Sequence, residues 1–240
     1  MKILIVGFGG IGCRHAQSLV SESAVNEIWI MEKEEAIFKK NCLAISQKLS
    51  RFEYIRDDFD KLPEHIDFAI IATTSFQRFE IFKHLVTIKN IKLFLLEKVV
   101  FQSIQQFEEA ISMSNIFGVR AYCNFVNRYF PNYKRIQKGL LQNKRFKMFV
   151  SGGDFGLGCN GLHYIDLFHF LAQSNPILIQ HRLIENLKKH KRGSNFREVI
   201  GSMRWETQRE DLLILSSDSN RDVNVEILIT QDDQMHILNE

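Results

Sequence analysis

A short glycine-rich run near the N-terminus, GFGGIG, has the residue types and spacing that can hold a phosphate group. It follows an apolar stretch and precedes one with helical spacing. In such a strand–loop–helix unit the glycines allow a tight turn, a close approach to a pyrophosphate and close helix packing. The helix N-terminus adds N–H donors and a positive dipole end. A dinucleotide site is therefore predicted, with contacts from Gly7, Gly9, Gly10, Ile11 and Gly12.

An acidic residue stands at the distance from this loop that suits the adenosine ribose. Glu32 ends the second apolar run, EIWIM, and a carboxylate there accepts hydrogen bonds from the ribose hydroxyls. The same charge disfavours the additional phosphate of NADP, although Lys33 follows and partly neutralises the repulsion. NAD is therefore the expected cofactor, with NADP less favoured. A cluster of turn glycines with a solvated Glu32 is the alternative interpretation.

Two further apolar runs end in polar residues. FAII leads to Thr73 and Thr74, whose small side chains and backbone can lie along a dinucleotide beyond the carboxyl ends of the strands. LFLL leads to Glu97 and Lys98, a charged pair that is costly to bury without partners. Both pairs are candidates for the cofactor site. For Glu97 and Lys98 a surface ion pair is the alternative.

A third set of reactive side chains lies in the second half of the chain, at helical spacing. Asp166 can orient His163 and raise its basicity, so His163 is expected to be a general base for a hydroxyl proton. A histidine packed in the core is the alternative for His163 and the preferred interpretation of His169. A metal site formed by Cys159 and both histidines is not expected, because His163 and His169 fall on different faces of one helix.

The spacing of apolar residues predicts a two-part fold around these groups. In the first half, short apolar runs alternate with stretches of helical spacing, which is typical of a parallel sheet covered by helices. From about Tyr122 the pattern changes, and beyond Pro176 five strand-like runs follow one another, from ILIQH to QMHIL. The fold class expected is therefore α/β, with an N-terminal Rossmann doubly wound parallel sheet and a C-terminal α+β domain with a mainly antiparallel open sheet.

The boundary between these domains is expected after residue 121. Residues 1–121 would bind the dinucleotide, and residues 122–240 would bind substrate and mediate oligomerisation through the apolar face of the sheet. The last strand candidate ends almost at Glu240. The sequence leaves open whether the sheet is complete there or lacks a final strand or helix.

Composition narrows the classes of function. The 240 residues are 45% hydrophobic and 25% charged, as in folded chains, and the net charge of +3 is spread along the sequence. Nucleic acid is therefore not an expected partner. The basic stretch from Lys188 to Arg192 is interpreted as a solvated loop, with phosphate or partner binding as the alternative. No leader and no membrane-spanning run is expected, and the four scattered cysteines favour a reducing cytoplasm.

From Met1 to about Thr230 the chain resembles the Gfo/Idh/MocA family, the relatives of glucose-fructose oxidoreductase and inositol dehydrogenase. The resemblance is carried by GFGGIG, ATTSFQRFEI, EKV in place of E-K-P, NRYFPNY and GLHYIDLFHFL. It implies NAD- or NADP-dependent oxidation or reduction of a hydroxyl-bearing carbon on a sugar, sugar nucleotide or cyclitol. It also implies that Lys98 polarises the substrate oxygen while His163 takes the hydroxyl proton and hydride passes to the nicotinamide.

Three residues depart from the family pattern. Val99 replaces the proline after the lysine, and Arg78 stands near the place where many relatives carry a histidine. Cys159 replaces the aspartate that many family dehydrogenases carry four residues before the histidine. A cysteine has no fixed negative charge at neutral pH unless its pKa is strongly lowered. Either Asn160 or Asp166 takes over the orienting role, or the chemistry differs.

Three functions follow from these residues. The leading one is an NAD-dependent dehydrogenase or reductase of a small sugar-like molecule, cytoplasmic and assembled as a homodimer or homotetramer through the C-terminal sheet. Its expected place in carbohydrate biosynthesis is implied by the family resemblance alone. A non-catalytic nicotinamide-binding regulatory or scaffolding protein is the alternative, favoured by Cys159 and opposed by Lys98 and His163. A metal-assisted lyase or hydrolase built on Cys159 and the histidines is the third.

Overall fold

The computed structural model describes residues 1–45, 51–141, 143–186, 197–220 and 222–239. The chain divides into two compact units, Met1–Asn124 and Phe125–Glu240. The basic stretch from Lys188 to Arg192 lies outside the described residues, so its interpretation as a solvated loop stays a prediction. Within those described ranges, no helix is both long and apolar enough to cross a bilayer.

The first unit is organised by a six-stranded parallel sheet and a separate pair of short strands. The strands are β1 (Lys2–Val6), β2 (Glu27–Met31), β3 (Phe52–Ile55), β4 (His65–Ile66), β5 (Phe68–Ile71), β6 (Asn90–Ile91), β7 (Leu93–Leu96) and β8 (Arg120–Cys123). The order in the parallel sheet is β3-β2-β1-β5-β7-β8, and β4 pairs with β6.

Helices cover both faces of this sheet. They are α1 (Gly10–Leu19), α2 (Glu35–Leu43), α3 (Ser75–Ile88) and α4 (Ile104–Phe117). The residues of β1 from Ile3 to Val6 are all buried, with Leu4 and Val6 in the core on one face and Ile3 and Ile5 in the core on the other. A strand packed on both faces needs apolar residues at successive positions, which explains the continuous apolar run.

Among its described residues, the second unit contains a mixed six-stranded sheet and two α-helices. The elements are α5 (Pro131–Gly139), β9 (Lys147–Gly153), α6 (Leu157–Ala172), β10 (Ile177–Asn186), β11 (Glu198–Glu206), β12 (Leu212–Asp218), β13 (Glu226–Gln231) and β14 (Gln234–Asn239). The sheet order is β10-β11-β12-β9-β13-β14; β9 pairs with β12 in parallel, and the other pairings are antiparallel. The fold class expected from the sequence is confirmed.

Helix α6 packs on this sheet and begins earlier than the sequence pattern indicated. Its buried residues Leu167 and Phe168 join the core formed with Met148 of β9. We expected the helix to follow the glycine-rich passage, but it begins inside that passage at Leu157. The Glu198 carboxylate accepts a hydrogen bond from Gly158 N at 2.6 Å, and a carboxylate at a helix N-terminus stabilises the first turn.

Candidate functional site

Two glycines of the GFGGIG loop are required by the packing of the chain itself. Gly7 has a φ of +88°, a left-handed conformation that side chains disfavour. A Cβ atom at Gly7 would lie 2.9 Å from Thr73 N, and one at Gly12 would lie 2.0 Å from Gly7 O. The turn after β1 and the contact of α1 with that turn therefore both exclude a side chain.

Two other glycines of the loop have no such internal reason. A Cβ atom at Gly9 or Gly10 would meet no atom of the protein within 4 Å. Both residues are exposed at the N-terminus of α1, whose first turn contains no acidic residue, and Ile11 beside them is 40% exposed. The loop thus presents unshielded N–H groups and open space, as an anion-binding helix N-terminus requires.

Glu32 is held beside this loop by two backbone donors. Its Oε2 atom accepts from Phe8 N at 2.7 Å, and its Oε1 atom accepts from Glu34 N at 3.1 Å. Behind it, the Tyr54 hydroxyl donates to Glu32 O at 3.1 Å, and the Tyr54 ring stacks on Phe38 with centroids 4.2 Å apart. The carboxylate therefore has a defined position at the carboxyl end of β2.

A cavity of about 240 Å³ opens at the carboxyl ends of β1, β2, β3 and β5. Its lining residues are Val6, Gly7, Gly9, Met31, Glu32, Lys33, Asp57, Ala72, Thr73, Thr74, Gln77 and Ile81. Five residues predicted from the sequence meet here: Gly7, Gly9, Glu32, Thr73 and Thr74. Gly10, Ile11, Gly12, Glu97 and Lys98, which were also predicted to contact the cofactor, are not among the lining residues.

Asp57, Gln77 and Ile81 are among the cavity residues that the sequence did not indicate. Asp57 follows the end of β3, so the rule that ligands bind beyond strand ends would have found it if β3 had been recognised. Lys33 Nζ lies 3.5 Å from Asp57 Oδ2, so Lys33 has a carboxylate partner at the cavity other than Glu32. Gln77 and Ile81 lie on α3, and no sequence signal singled them out.

Three features of this cavity match parts of a dinucleotide. Thr73 Oγ1 is buried and has no hydrogen-bond partner among the described residues, so the cavity wall carries a hydroxyl whose partner has to come from elsewhere. Gly9 leaves space at the helix N-terminus, and Glu32 supplies a fixed acceptor. Phosphate, ribose and a further polar group each have a matching feature here.

Glu97 lies in a buried hydrogen-bond network and is 8% exposed. Its Oε1 atom accepts from His15 Nε2 at 2.8 Å and from Asn124 Nδ2 at 2.7 Å. Burial raises the pKa of the Glu97 carboxyl, but the hydrogen bonds from His15 and Asn124 and the charges of His15 and Arg78 outweigh it, so the pKa is lowered. These contacts explain how a charged residue is tolerated directly after the apolar strand β7.

We expect the Glu97 carboxylate to make folding pH-dependent. A carboxyl whose pKa is lower in the folded chain stabilises the fold above its unfolded pKa of about 4.3, and that contribution is lost as pH falls through the folded value. The Tm of wild type should therefore exceed that of Glu97→Gln at neutral pH, and the difference should shrink below about pH 4. Thermal unfolding from neutral to acid pH measures this. A difference that stays constant would contradict the assignment.

Lys98 is half-buried in the loop between β7 and α4, and the Lys98–Val99 peptide bond is cis. Arg78 of α3 lies behind this loop and is 2% exposed. Its guanidinium donates to backbone carbonyls, among them those of Thr73 and Val99. Arg78 is thus directed at the backbone and is not among the residues that line the cavity.

In the second unit, the partner of Asp166 is Arg128. Arg128 Nε donates to Asp166 Oδ2 at 2.9 Å and a second guanidinium nitrogen donates to Oδ1, while the guanidinium lies over the Phe170 ring at 5.9 Å. The sequence led us to expect His163 as that partner. Two parallel donors match a carboxylate geometrically, which explains why a more distant arginine is preferred to a histidine one turn away.

His163 and its neighbours lie along α6. The His163 ring is half-buried and packs edge-on against Phe125, with centroids 5.8 Å apart. Cys159 is also half-buried and lies one turn earlier. Next to it, Asn160 Nδ2 donates to Phe155 O at 2.5 Å. The side chain of Asn160 is therefore committed to the backbone at the start of the helix.

The histidine near the end of α6 has a structural contact. His169 Nδ1 lies 3.0 Å from Ser174 O, which joins the last turn of the helix to the segment that follows. Across the described part of the chain, no group of three or more histidine, cysteine, aspartate or glutamate side chains could hold a metal ion.

The architecture, a parallel six-stranded sheet with helices and a separate mixed sheet, is that of the two-domain Rossmann-type dehydrogenases. The WlbA dehydrogenase from Bordetella pertussis, in complex with NADH and UDP-GlcNAcA, matches with a TM-score of 0.78 and 14% identity over 100% of this chain and 76% of that one. UDP-N-acetylglucosamine 3-dehydrogenase GnnA from Acidithiobacillus ferrooxidans matches with a TM-score of 0.76 and 15% identity, again over 100% and 76%.

The same fold occurs in a protein that is named as a repressor. The super-repressor mutant of Gal80p from Saccharomyces cerevisiae matches with a TM-score of 0.75 and 14% identity, over 100% of this chain and 79% of that one. No protein-family profile matches the sequence, and no curated protein matches it. At these identities the similarity establishes the fold alone, and the function has to be inferred from the residues of the site.

Proposed function

We propose that this chain is an NAD-dependent oxidoreductase of Gfo/Idh/MocA type. It would move hydride between the nicotinamide and a hydroxyl-bearing carbon of a sugar, sugar nucleotide or cyclitol. The observation that carries the proposal is the cavity where the glycine loop, Glu32 and Thr73 meet at the strand ends. The fold supports it, because WlbA in complex with NADH and UDP-GlcNAcA and the dehydrogenase GnnA have the same architecture.

Residues of the cavity and of the adjoining glycine loop would hold the cofactor together. The N–H groups of the loop from Gly9 to Gly12 would bind the pyrophosphate, with space left by the missing side chain of Gly9. The Glu32 carboxylate would accept hydrogen bonds from the adenosine ribose, and Thr73 Oγ1 would find its missing partner in the bound molecule. When bound, the nicotinamide dinucleotide supplies the acceptor or donor of hydride.

Two residues would handle the substrate oxygen and its proton. The Lys98 ammonium would donate a hydrogen bond to that oxygen and stabilise the negative charge that develops on it. His163 would accept the hydroxyl proton during oxidation and return it during reduction. These roles rest on the resemblance of EKV and GLHYIDLFHFL to the family motifs. Asp166, which lies on the same helix as His163, would contribute by holding the Arg128 guanidinium.

We propose NAD over NADP because Glu32 occupies the place where the additional phosphate would bind. Glu32→Gln keeps an acceptor for Phe8 N but removes the charge. The ratio of the NADP dissociation constant to the NAD dissociation constant should fall by about tenfold, which corresponds to about 1.4 kcal/mol. Titration with both nucleotides measures it. Glu34→Gln, which removes a nearby exposed charge, is the matched control and should leave the ratio unchanged.

The experiment that tests the function is a screen of sugars, sugar nucleotides and cyclitols with NAD and NADH, in which the absorbance of the nicotinamide reports the reaction. Mass spectrometry of small molecules that co-purify with the protein selects the first compounds. Substrate-dependent oxidation or reduction that requires Lys98 supports the proposal. Tight NADH binding without turnover across the panel would refute catalysis and leave the binding site in place.

That second outcome corresponds to a non-catalytic nicotinamide-binding regulator or scaffold of the same fold. Cys159 favours it, because a cysteine stands where many dehydrogenases of the Gfo/Idh/MocA family carry an aspartate. The shared fold of the Gal80p super-repressor mutant is compatible with it. The presence of Lys98 and His163 favours the enzyme, so we place the regulatory function second.

We further propose a cytoplasmic homodimer or homotetramer assembled through the sheet of the second unit. Strand β10 at its edge exposes several large apolar side chains, with Ile177 56%, Ile179 53% and Ile184 62% exposed. Apolar side chains grouped in this way are typical of a protein interface. Light scattering on the purified chain measures the assembly, and a monomer at micromolar concentration would contradict it.

A further inference from the structure

A buried arginine connects two loops of the first unit. Arg78 donates to the carbonyl of Thr73, which belongs to the loop after β5, and to the carbonyls of Glu97, Val99 and Val100, which belong to the loop after β7. The contact to Val100 O is 3.2 Å long. One side chain thus joins the cavity wall to the loop that carries the lysine.

An arginine is well suited to bind several backbone carbonyls at once. A guanidinium is planar, always charged and carries five donors in a fixed fork, so it can serve several carbonyls at once. A lysine in the same place is a single point charge on a flexible stem, and an imidazole has at most two donors. Burying a charge is costly unless its donors are used. The hydrogen bonds to the surrounding carbonyls therefore explain why Arg78 is tolerated at 2% exposure.

The contacts of Arg78 lie on both sides of Lys98. The carbonyl of Glu97 precedes Lys98 and the carbonyl of Val99 follows it, so the backbone is held immediately before and after the lysine. The Glu97 side chain adds a further attachment through His15, which is a residue of α1. The loop is consequently tied both to α3 and to the helix that follows the glycine loop.

We propose that Arg78 is a positioning residue, which fixes the backbone on both sides of Lys98 relative to the Thr73 wall of the dinucleotide cavity. The role of Lys98 in this inference rests on the function proposed above. A reaction between groups held in the productive geometry is sensitive to small displacements, so loosening this loop should reduce turnover far more than cofactor binding.

The test uses Arg78→Lys and Arg78→Met in the full chain. The matched control is Leu85→Val or Leu85→Ala, whichever gives the same loss of Tm, because Leu85 is a fully buried apolar residue of the same helix. The measurements are the NADH dissociation constant, kcat and KM on a substrate from the screen, and the rate at which limiting acetic anhydride acetylates Lys98, followed by mass spectrometry.

We expect both Arg78 variants to lower kcat by about 30-fold or more, with KM and the NADH dissociation constant changed by less than about threefold. Acetylation of the half-buried Lys98 should become at least about threefold faster relative to the other lysines, because the loop is no longer held. Arg78→Lys, which retains the charge, should lose less than Arg78→Met. The Leu85 variant should show neither effect.

Equal losses of kcat in the Arg78 and Leu85 variants, or an unchanged acetylation rate of Lys98, would overturn the proposal. If both Arg78 variants fail to fold, the role is structural and the proposal is likewise rejected. The acetylation arm needs no substrate. If the screen finds no turnover, the proposed function fails by itself, while faster acetylation in the Arg78 variants still supports the positioning of Lys98.

Discussion

Replacing Gly9 by alanine is expected to weaken NAD binding by about 30-fold or more and to leave the Tm of the protein unchanged. A Cβ atom at Gly9 meets nothing of the chain within 4 Å, so the added methyl group causes no internal clash. Gly9 nevertheless lines the cavity at the N-terminus of α1. Only a bound molecule that approaches the backbone closely would meet the methyl group. Isothermal titration and thermal unfolding measure the two effects.

Two other glycines provide the controls. At Gly12 a Cβ atom would lie 2.0 Å from Gly7 O, so Gly12→Ala should lower the Tm by about 5 °C or more. Gly139 of α5, like Gly9, has open space around the position of a Cβ atom, and Gly139→Ala should change neither quantity. Wild-type NAD affinity in Gly9→Ala would show that the cavity is not the pyrophosphate site.

The central strands of the first sheet could be predicted because they are buried on both faces. Burial of that kind demands continuous apolar runs, which are visible in β1, β2, β5 and β7. The edge strands β3 and β8 were missed. Their sequences, FEYI and RAYC, contain charged and polar residues, because an edge strand has neighbours on one side alone. Because β3 was not predicted, the cavity residue Asp57 that follows it was not predicted either.

In the candidate site, residues that are close in sequence could be predicted together, whereas contacts between residues far apart in sequence could not. The glycine loop and Glu32 could be predicted together, since a strand–loop–helix–strand unit fixes their relation within a short stretch of chain. The partner of Asp166 could not, because Arg128 lies 38 residues away and helical spacing reports only neighbours one turn apart. Arg78 stands where many members of the family that the sequence resembles carry a histidine, yet no sequence pattern indicates that its partners are backbone carbonyls.

Lys98→Met is expected to reduce turnover by about 10²- to 10⁴-fold, the range over which a positioned proton or charge donor contributes to catalysis. The methionine has nearly the length of lysine without the ammonium, so the loop after β7 should keep its packing. The NADH dissociation constant should change by less than about threefold, because Lys98 is not among the residues that line the proposed dinucleotide cavity. Stopped-flow measurement of nicotinamide absorbance, with a separate titration of NADH, gives both values.

Lys92→Met is the matched control for this substitution. Lys92 is an exposed lysine just before β7, and its Nζ atom donates to Phe117 O at 3.4 Å, so its removal eliminates the same charge from the same unit without touching the loop after the strand. It should retain wild-type turnover. If Lys98→Met also retains it, Lys98 does not act on the substrate oxygen. The cavity beside Glu32 would then be the cofactor site of a nicotinamide-binding protein that acts as a regulator or scaffold and does not catalyse a reaction.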